Sequence, residues 1–328
     1  MSLIFDGIEI TKVIYDGVDL DEVDVNEVKV FEKFRNLVAV NYNAAYYSED
    51  GTSWTVSPTT LYSGTYYTGA AYGEGRFVCA GGNSKSYYSN DGKTWSAMYG
   101  FSSDSDANKI SIVHYGKASE NNARFICTYT KGRSYYLNNN AYKSTYWTSM
   151  SGIDTSSSTT SMAYGNGVCV CTAGSKVYFS TNGTSWTGYR VVDGTTYANC
   201  ESVTFDDGKF VVIVGRQRLY YSTDGVSWTI MSTPNISGKI KSIIHANGRY
   251  VAIGYTGDNT SNGCAFYSTY GTTWSKSYTS LGTVQSSTMT YANGKYICAC
   301  NSGVYYSASG YTWTAMSGLS YAYDITHD

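Results

Sequence analysis

Short runs in which apolar and polar residues alternate make up most of the chain, and they recur in a constant order. The run YYSNDGKTW at residues 87–95 returns, with small changes, from Tyr46, Tyr178, Tyr220, Phe266 and Tyr305, and an interrupted copy starts at Tyr135. The copies end in the seven tryptophans of the chain, about 43 residues apart: Trp54, Trp95, Trp147, Trp186, Trp228, Trp274 and Trp313. This regular spacing predicts a repeat protein.

Each copy has the pattern of a β-hairpin. Tyr-Tyr-Ser suits the end of a pleated strand, and the Asp-Gly or Asn-Gly that follows is a strong turn signal. We expect the side chain before glycine to accept backbone N–H bonds inside the turn. That position holds Asp50, Asp91, Asn182 and Asp224, but Tyr270 and Ser309 in two other copies. Such tolerance indicates a structural turn and not a catalytic carboxylate.

A full repeat contains four predicted strands, as residues 161–189 show. Four strands in about 43 residues is the length of one blade of a β-propeller. We therefore predict an all-β fold, a seven-bladed β-propeller over residues 34–328, with a tryptophan packed between each pair of neighbouring blades. Blade one lacks a first strand before Leu37, and the segment Ser320–Asp324 is predicted to supply it from the C-terminus. This strand would close the ring and remove an open sheet edge.

The first strand of each repeat ends near an aromatic or histidine position. We assign Tyr323 to this position in blade one, and the other blades fill it with Tyr72, His114, Tyr164, Phe205, His245 and Tyr291. The two histidines of this set are interpreted as packed rings. His327 has no partner in the sequence, and three scattered histidines give no metal signature. We expect neither a metal nor a cofactor.

Residues 1–33 differ from the rest of the chain. They carry nine acidic and three basic residues and a period of about ten, with Asp6-Gly7 and Asp16-Gly17 marking predicted turns. A ladder this short buries little surface by itself. We predict a β appendage that anchors the protein to a partner or joins copies of it into a homo-oligomer.

Composition narrows the class of protein. The chain has 23 basic and 25 acidic residues, so nucleic acid is not an expected partner. We find no apolar run of membrane-spanning length and no signal peptide, and expect synthesis in a cytoplasm. Of the eight cysteines, Cys79, Cys127, Cys171 and Cys298 occupy a strand position filled elsewhere by Val212 and Ala252. We interpret them as reduced, buried thiols.

Two resemblances follow from these motifs. The repeats FDGIEITKV and YDGVDLDEV, and the ending VFEK, resemble the leaders of bacteriophage tail-fibre and other virion proteins. The turn motif resembles the Asp box of bacterial-neuraminidase-type propellers, although it is one residue shorter between Asp and Trp. In that family the box is a fold element away from the active centre, so it implies architecture and not activity.

Hydrolysis by a sialidase-like site is disfavoured. Past residue 33 there are four glutamates, and Glu201 alone is expected near the face opposite the repeat turns. The eight arginines are scattered. Carboxylates on the loops of that face keep the alternative open: Asp104, Asp106, Asp154, Asp193 and Asp258.

The loops joining fourth to first strands and second to third strands vary between copies and share the face opposite the repeat turns. They are rich in Tyr, Ser, Gly and Asn, which suit recognition surfaces. The candidate ligand-binding residues are Tyr62, Tyr66, Tyr99, Arg190, Tyr197, Arg216, Arg218, Tyr255, Asp258 and Asn259. We predict a non-enzymatic phage or prophage virion protein that binds a bacterial surface carbohydrate, with residues 1–33 contacting other virion proteins. The alternatives are a structural virion component, a glycan-degrading enzyme and, for location, the cytoplasm.

Overall fold

The computed structural model describes most of the chain. The described residues are 3–5, 8–10, 13–15, 18–20, 22–25, 28–32, 35–83, 85–100, 110–116, 123–129, 133–138, 144–153, 159–190, 198–206, 208–234, 236–284 and 287–328. For residues 3–32, and for 114, 115, 159 and 160, the description covers the backbone. Every regular element within these ranges is a β-strand.

The N-terminal segment forms three antiparallel strand pairs. Their strands are β1 (Leu3–Phe5), β2 (Ile8–Ile10), β3 (Val13–Tyr15), β4 (Val18–Leu20), β5 (Glu22–Val25) and β6 (Val28–Glu32). Phe5 lies opposite Ile8, and Tyr15 opposite Val18. Residues 6–7 and 16–17, where we predict Asp-Gly turns, lie outside the described residues.

Seven four-stranded antiparallel sheets follow, and they form the blades of a β-propeller. Blade one contains β7 (Leu37–Val40), β8 (Ala45–Ser48) and β9 (Thr55–Val56), and blade two β10 (Tyr67–Gly73), β11 (Arg76–Gly81), β12 (Lys85–Ser89) and β13 (Ser96–Met98). Blade three contains β14 (Ile110–Tyr115), β15 (Arg124–Tyr129), β16 (Ser134–Asn138) and β17 (Thr148–Met150), and blade four β18 (Thr159–Gly165), β19 (Val168–Ala173), β20 (Lys176–Ser180) and β21 (Thr187–Arg190). Blade five contains β22 (Cys200–Asp206), β23 (Lys209–Val214), β24 (Arg218–Ser222) and β25 (Thr229–Met231), and blade six β26 (Lys239–Ala246), β27 (Arg249–Tyr255), β28 (Gly263–Ser268) and β29 (Ser275–Gly282). Blade seven contains β30 (Ser287–Ala292), β31 (Lys295–Cys300), β32 (Gly303–Ser307) and β33 (Thr314–Ala315), and β34 (Asp324–His327) pairs back onto β7 in blade one.

The ring closes as predicted, but with a different register. The closing strand is Asp324–His327, and not Ser320–Asp324, and His327 lies opposite Leu37. In blade two the equivalent pair is Tyr72 opposite Phe77. The aromatic position of blade one therefore belongs to His327 and not to Tyr323. The prediction relied on Tyr323, an aromatic residue at the expected place in the sequence pattern. The pattern alone could not give the register, because the register of β34 is set by its partner strand at the other end of the propeller.

The repeat turns are built as the sequence predicts. Oδ1 of Asp50 accepts backbone N–H bonds of 2.8 Å from Thr52 and from Ser53, and Asn182 accepts equivalent bonds. The preceding serine is the more constant element, since its hydroxyl accepts the glycine N–H even where Tyr270 or Ser309 replaces the acid. These serines are Ser48, Ser180, Ser222, Ser268 and Ser307. The turn therefore tolerates loss of the carboxylate.

Each of the seven hydrophobic clusters contains one of the repeat tryptophans and residues from two neighbouring blades. Trp147 is 1% exposed and packs with Ala71 and Val78 of the preceding blade. Trp54, Trp95, Trp186 and Trp313 are also buried, and Trp228 and Trp274 are half-buried. A blade thus acquires a core by sharing one with its neighbour.

The cysteine positions are confirmed as core positions. Cys79 lies between Ala70 and Tyr87, as Val212 lies between Val203 and Tyr220 in blade five. All eight cysteines are free and buried. Burial raises the pKa of Cys127 and Cys169, so these thiols stay protonated and unreactive.

Candidate functional site

Chain topology sorts the connections of every blade onto two faces. We call the face with the repeat turns the turn face, and the opposite face, with the second-to-third and fourth-to-first connections, the loop face. Within the described residues, the candidate ligand-binding side chains lie in connections of the loop face or at the strand ends beside them. Tyr197, Asp104, Asp106, Asp154 and Asp193 lie outside the described residues.

Four tyrosines meet where the ring closes, and we call Tyr42, Tyr66, Tyr321 and Tyr323 the tyrosine patch. Tyr42 and Tyr66 form an antiparallel bridge, with ring centroids 4.7 Å apart, and are 39% and 49% exposed. The centroid of the Tyr323 ring lies 5.9 Å from that of Tyr66 and 5.7 Å from that of Tyr321. Burial and the neighbouring phenols raise the pKa of Tyr321 and of Tyr323. Both hydroxyls are neutral near pH 7, as ordinary phenols are, and can donate hydrogen bonds.

Tyr62 lies on the connection that leads to the patch. Its backbone N–H donates to the Tyr87 hydroxyl at 3.1 Å, and its carbonyl accepts from the Tyr67 hydroxyl at 3.4 Å. The Lys85 ammonium lies 4.4 Å from the centroid of the Tyr62 ring. Sequence analysis missed Tyr42 and Lys85, because Tyr42 lies in a different connection from Tyr66 and Lys85 begins strand β12, and no local pattern joins them to their partners.

A second group of candidates meets at blades five and six. Arg216 forms an ion pair of 2.6 Å with Asp258, and both side chains are largely exposed. Asn259 braces the same connection by accepting the Ser261 N–H at 2.9 Å. Exposed pairs of this kind contribute little energy. This group is therefore a polar surface with its charges already paired.

The remaining candidates are separate from both groups. Tyr99 lies beside Tyr146 at the outermost strand of blade three, and both are about two-thirds exposed. Arg190 and Arg218 lie exposed at strand ends, and half-exposed Tyr255 pairs with Lys239. The structure thus brings Tyr66 and Tyr62 together where the ring closes, and places Tyr99, Arg190 and Arg218 on other blades.

The innermost strands surround a central cavity of about 610 Å³. Glu201, predicted near the loop face, forms an ion pair of 2.7 Å with Lys239 at its wall. Asp324 accepts bonds from the Ala70 N–H and the Thr288 hydroxyl, both at 2.9 Å. Both of these carboxylates are engaged in structural contacts.

The histidines behave as aromatic core groups where their side chains are described. His245 packs on Tyr250 with ring centroids 4.2 Å apart, and its Nδ1 lies 3.1 Å from Oδ2 of Asp206. Burial lowers the pKa of His327, whose Nδ1 lies 3.0 Å from the Asp328 carbonyl. His327 therefore has a partner, contrary to the sequence interpretation. The described part of the chain holds no cluster of His, Cys, Asp and Glu suited to a metal ion.

Two motifs that lie within or just after the outermost strands join neighbouring blades, and sequence analysis missed both. In SPTTL (57–61) and SYTSL (277–281), the threonine hydroxyl accepts the backbone N–H of the tryptophan in the next blade, as Thr59 does from Trp95 and Thr279 from Trp313. In Met-x-Gly segments a backbone carbonyl takes this role, as Ser317 does for Trp54. The repeated SxTxL pattern was the sequence signal from which these contacts could have been predicted.

No protein-family model matches the chain, and none of the curated proteins matches it in sequence. Solved structures do match it. YCF48 bound to D1 peptide has a TM-score of 0.60 and 13% identity, covering 80% of this chain and 85% of that one. Citrobacter koseri AztD has a TM-score of 0.54 and 10% identity, covering 98% and 92%. The fold is a seven-bladed β-propeller. At these identities the likeness concerns the fold alone.

None of the described residues forms a helix long and apolar enough to cross a membrane.

Proposed function

We propose that this protein is a phage or prophage virion protein whose loop face binds a carbohydrate on the bacterial surface. The observation that carries the proposal is the tyrosine patch, in which two half-exposed rings, Tyr42 and Tyr66, lie side by side on a closed propeller. Sugar rings present apolar C–H faces that pack against tyrosine, and phenol hydroxyls bond sugar hydroxyls.

The backbone beneath these rings is held in place. Asn43 N–H donates to the Thr65 carbonyl at 3.1 Å, and Asn43 Oδ1 accepts from Gly64 N–H at 2.7 Å. A preorganised surface loses less conformational entropy when it binds. The similar YCF48 structure is that of the protein bound to the D1 peptide, which supports a binding role for a propeller of this shape.

The virion assignment is supported by residues 1–33. Their acidic, ten-residue repeats resemble phage leaders, and the strand pairs β1–β2, β3–β4 and β5–β6 offer backbone edges to other virion proteins or to further copies. We also propose that the repeat turn is a shortened Asp box, since Asp50, Asp91 and Asp224 accept the N–H groups that follow them. Binding without hydrolysis is supported by the engagement of Glu201 and Asp324 in structural contacts.

The test is binding of the fluorescently labelled full chain to a panel of bacterial cells and purified cell-wall glycans, with a parallel assay for released sugar. We expect saturable binding, no release, and at least about a tenfold loss of affinity for Tyr66→Ala, as for a central aromatic contact. Tyr278→Ala is the matched control, because Tyr278 is 99% exposed on the outermost strand of blade six. Absence of binding, or equal losses for both variants, would overturn the proposal. Release of sugar would favour an enzyme.

A further inference from the structure

Lys85 differs from those cations of the propeller that form ion pairs with carboxylates. Lys93, Lys239 and Arg216 are each paired with a carboxylate. No described carboxylate forms an ion pair with Lys85, whose ammonium lies against the Tyr62 ring. A cation–π contact leaves the positive charge uncompensated. Lys85 therefore presents an available cation beside Tyr62.

The position of this cation relative to the tyrosines is fixed by the backbone. Asn83 donates from Nδ2 to the Gly64 carbonyl at 3.2 Å, and so ties the turn before Lys85 to the connection that carries Tyr62 and Tyr66. Asn43 holds the same connection from blade one through Gly64 and Thr65. Asn43 and Asn83 adopt positive φ values of 67° and 55°, as asparagine tolerates in tight turns. Tyr62, Tyr66 and Lys85 thus lie around one braced loop.

We infer that the carbohydrate bound by the loop face is anionic, and that Lys85 binds its carboxylate or phosphate group while the sugar packs on the neighbouring tyrosines. This inference rests on the proposed function. A lysine ammonium is a compact charge with three donors, which suits either group without requiring a planar partner. Uronic acids and phosphodiester-linked polymers share this chemistry, and binding to either would weaken as salt is added.

The test uses the full chain and three purified polymers: polygalacturonate for carboxylates, glycerol teichoic acid for phosphodiesters and dextran as the neutral polymer. We expect at least one charged polymer to bind about tenfold or more tighter than dextran, a difference of about 1.4 kcal/mol. Lys85→Gln should remove that preference and Lys85→Arg should retain most of it. Lys276→Gln is the matched control, because Lys276 is exposed on the outermost strand of blade six. Thermal denaturation of each variant checks that the fold is intact.

The outcomes separate this inference from the proposed function. If dextran binds as tightly as the charged polymers, the anionic ligand is wrong and carbohydrate binding stands. If Lys85→Gln binds the charged polymers as wild type does while Tyr66→Ala does not, the role of Lys85 is wrong and carbohydrate binding again stands. If the wild-type chain binds none of the polymers and no bacterial cells, both are wrong. The charged polymer that binds tighter identifies the source of the anion.

Discussion

The Oδ2 atom of Asp324 accepts a hydrogen bond of 2.9 Å from the backbone N–H of Ala70 in blade two. Its Oδ1 atom accepts the Thr288 hydroxyl of blade seven at 2.9 Å. One carboxylate therefore spans the joint of the ring, holding the closing strand β34 against both neighbouring blades. An open propeller would expose sheet edges at this point, so the contact contributes to a closed fold.

Asp324→Asn is expected to destabilise the propeller by about 1–3 kcal/mol, because the amide keeps one acceptor oxygen and presents N–H groups to a buried donor. The measurement is urea unfolding at neutral pH. Asp258→Asn makes the same chemical change on a side chain that is 90% exposed and should leave the unfolding midpoint nearly unchanged. Equal midpoints for the two variants would show that the joint does not depend on this carboxylate.

Gly318 lies where an outermost strand crosses to the next blade. A Cβ atom there would lie 2.0 Å from the backbone oxygen of Trp54, and φ is +81°. Gly248 also has a positive φ, +67°, but nothing lies within 4 Å of its Cβ position. Gly248→Ala should cost about 1–2 kcal/mol through backbone strain alone. Gly318→Ala should cost clearly more, since the backbone of blade one must move. Thermal denaturation compares the two, and similar losses would contradict a tight contact between these blades.

The repeat turns should contribute to stability in a pH-dependent way. Hydrogen bonds from the Ser227 and Val226 N–H groups lower the pKa of Asp224 to about 2. Partial burial raises the pKa of Asp91, but the N–H groups of Thr94 and Lys93 outweigh it and lower the value to about 2. A pKa below the ordinary value means that the fold favours the carboxylate form. This stabilisation is present above about pH 4 and is lost as the pH falls towards 2.

The double variant Asp91→Asn/Asp224→Asn tests this dependence. Asn182 shows that an amide oxygen can accept the same N–H bonds, so the variant should fold normally. Between about pH 4 and pH 2 its unfolding midpoint in urea should fall less steeply than that of wild type. Parallel curves for the two proteins would rule out a contribution from these carboxylates.

Much of the propeller is predictable because each repeat is a local unit. The tryptophan spacing, the strand order and the core position shared by Cys79 and Val212 all depend on contacts within a blade or with the next one along the chain. The register of the closing strand is not local in this sense. Its four residues pair with residues near the start of the propeller, so an aromatic at Tyr323 looked equivalent to Tyr72, whereas pairing with Leu37 selects His327.

The candidate site also contains residues that the sequence indicates and residues that only the structure brings to it. Tyr62 and Tyr66 stand out in a variable connection, and sequence analysis selects them from that context. Tyr42 comes from another connection, Lys85 comes from the start of strand β12, and Tyr321 and Tyr323 come from the far end of the chain. No pattern within one repeat indicates that these side chains meet.

The sequence by itself determined the seven blades, the four-stranded order, the repeat turns and the tryptophans between blades, because these features recur along the chain and depend on short-range periodicity. Only the tertiary structure decided the register of the closing strand and which tyrosines form a surface. The side-chain amide of Asn41 donates a hydrogen bond to the carbonyl of Tyr321, which lies 280 residues further along the chain. Contacts of that span depend on the curvature of the whole ring, which no single repeat encodes.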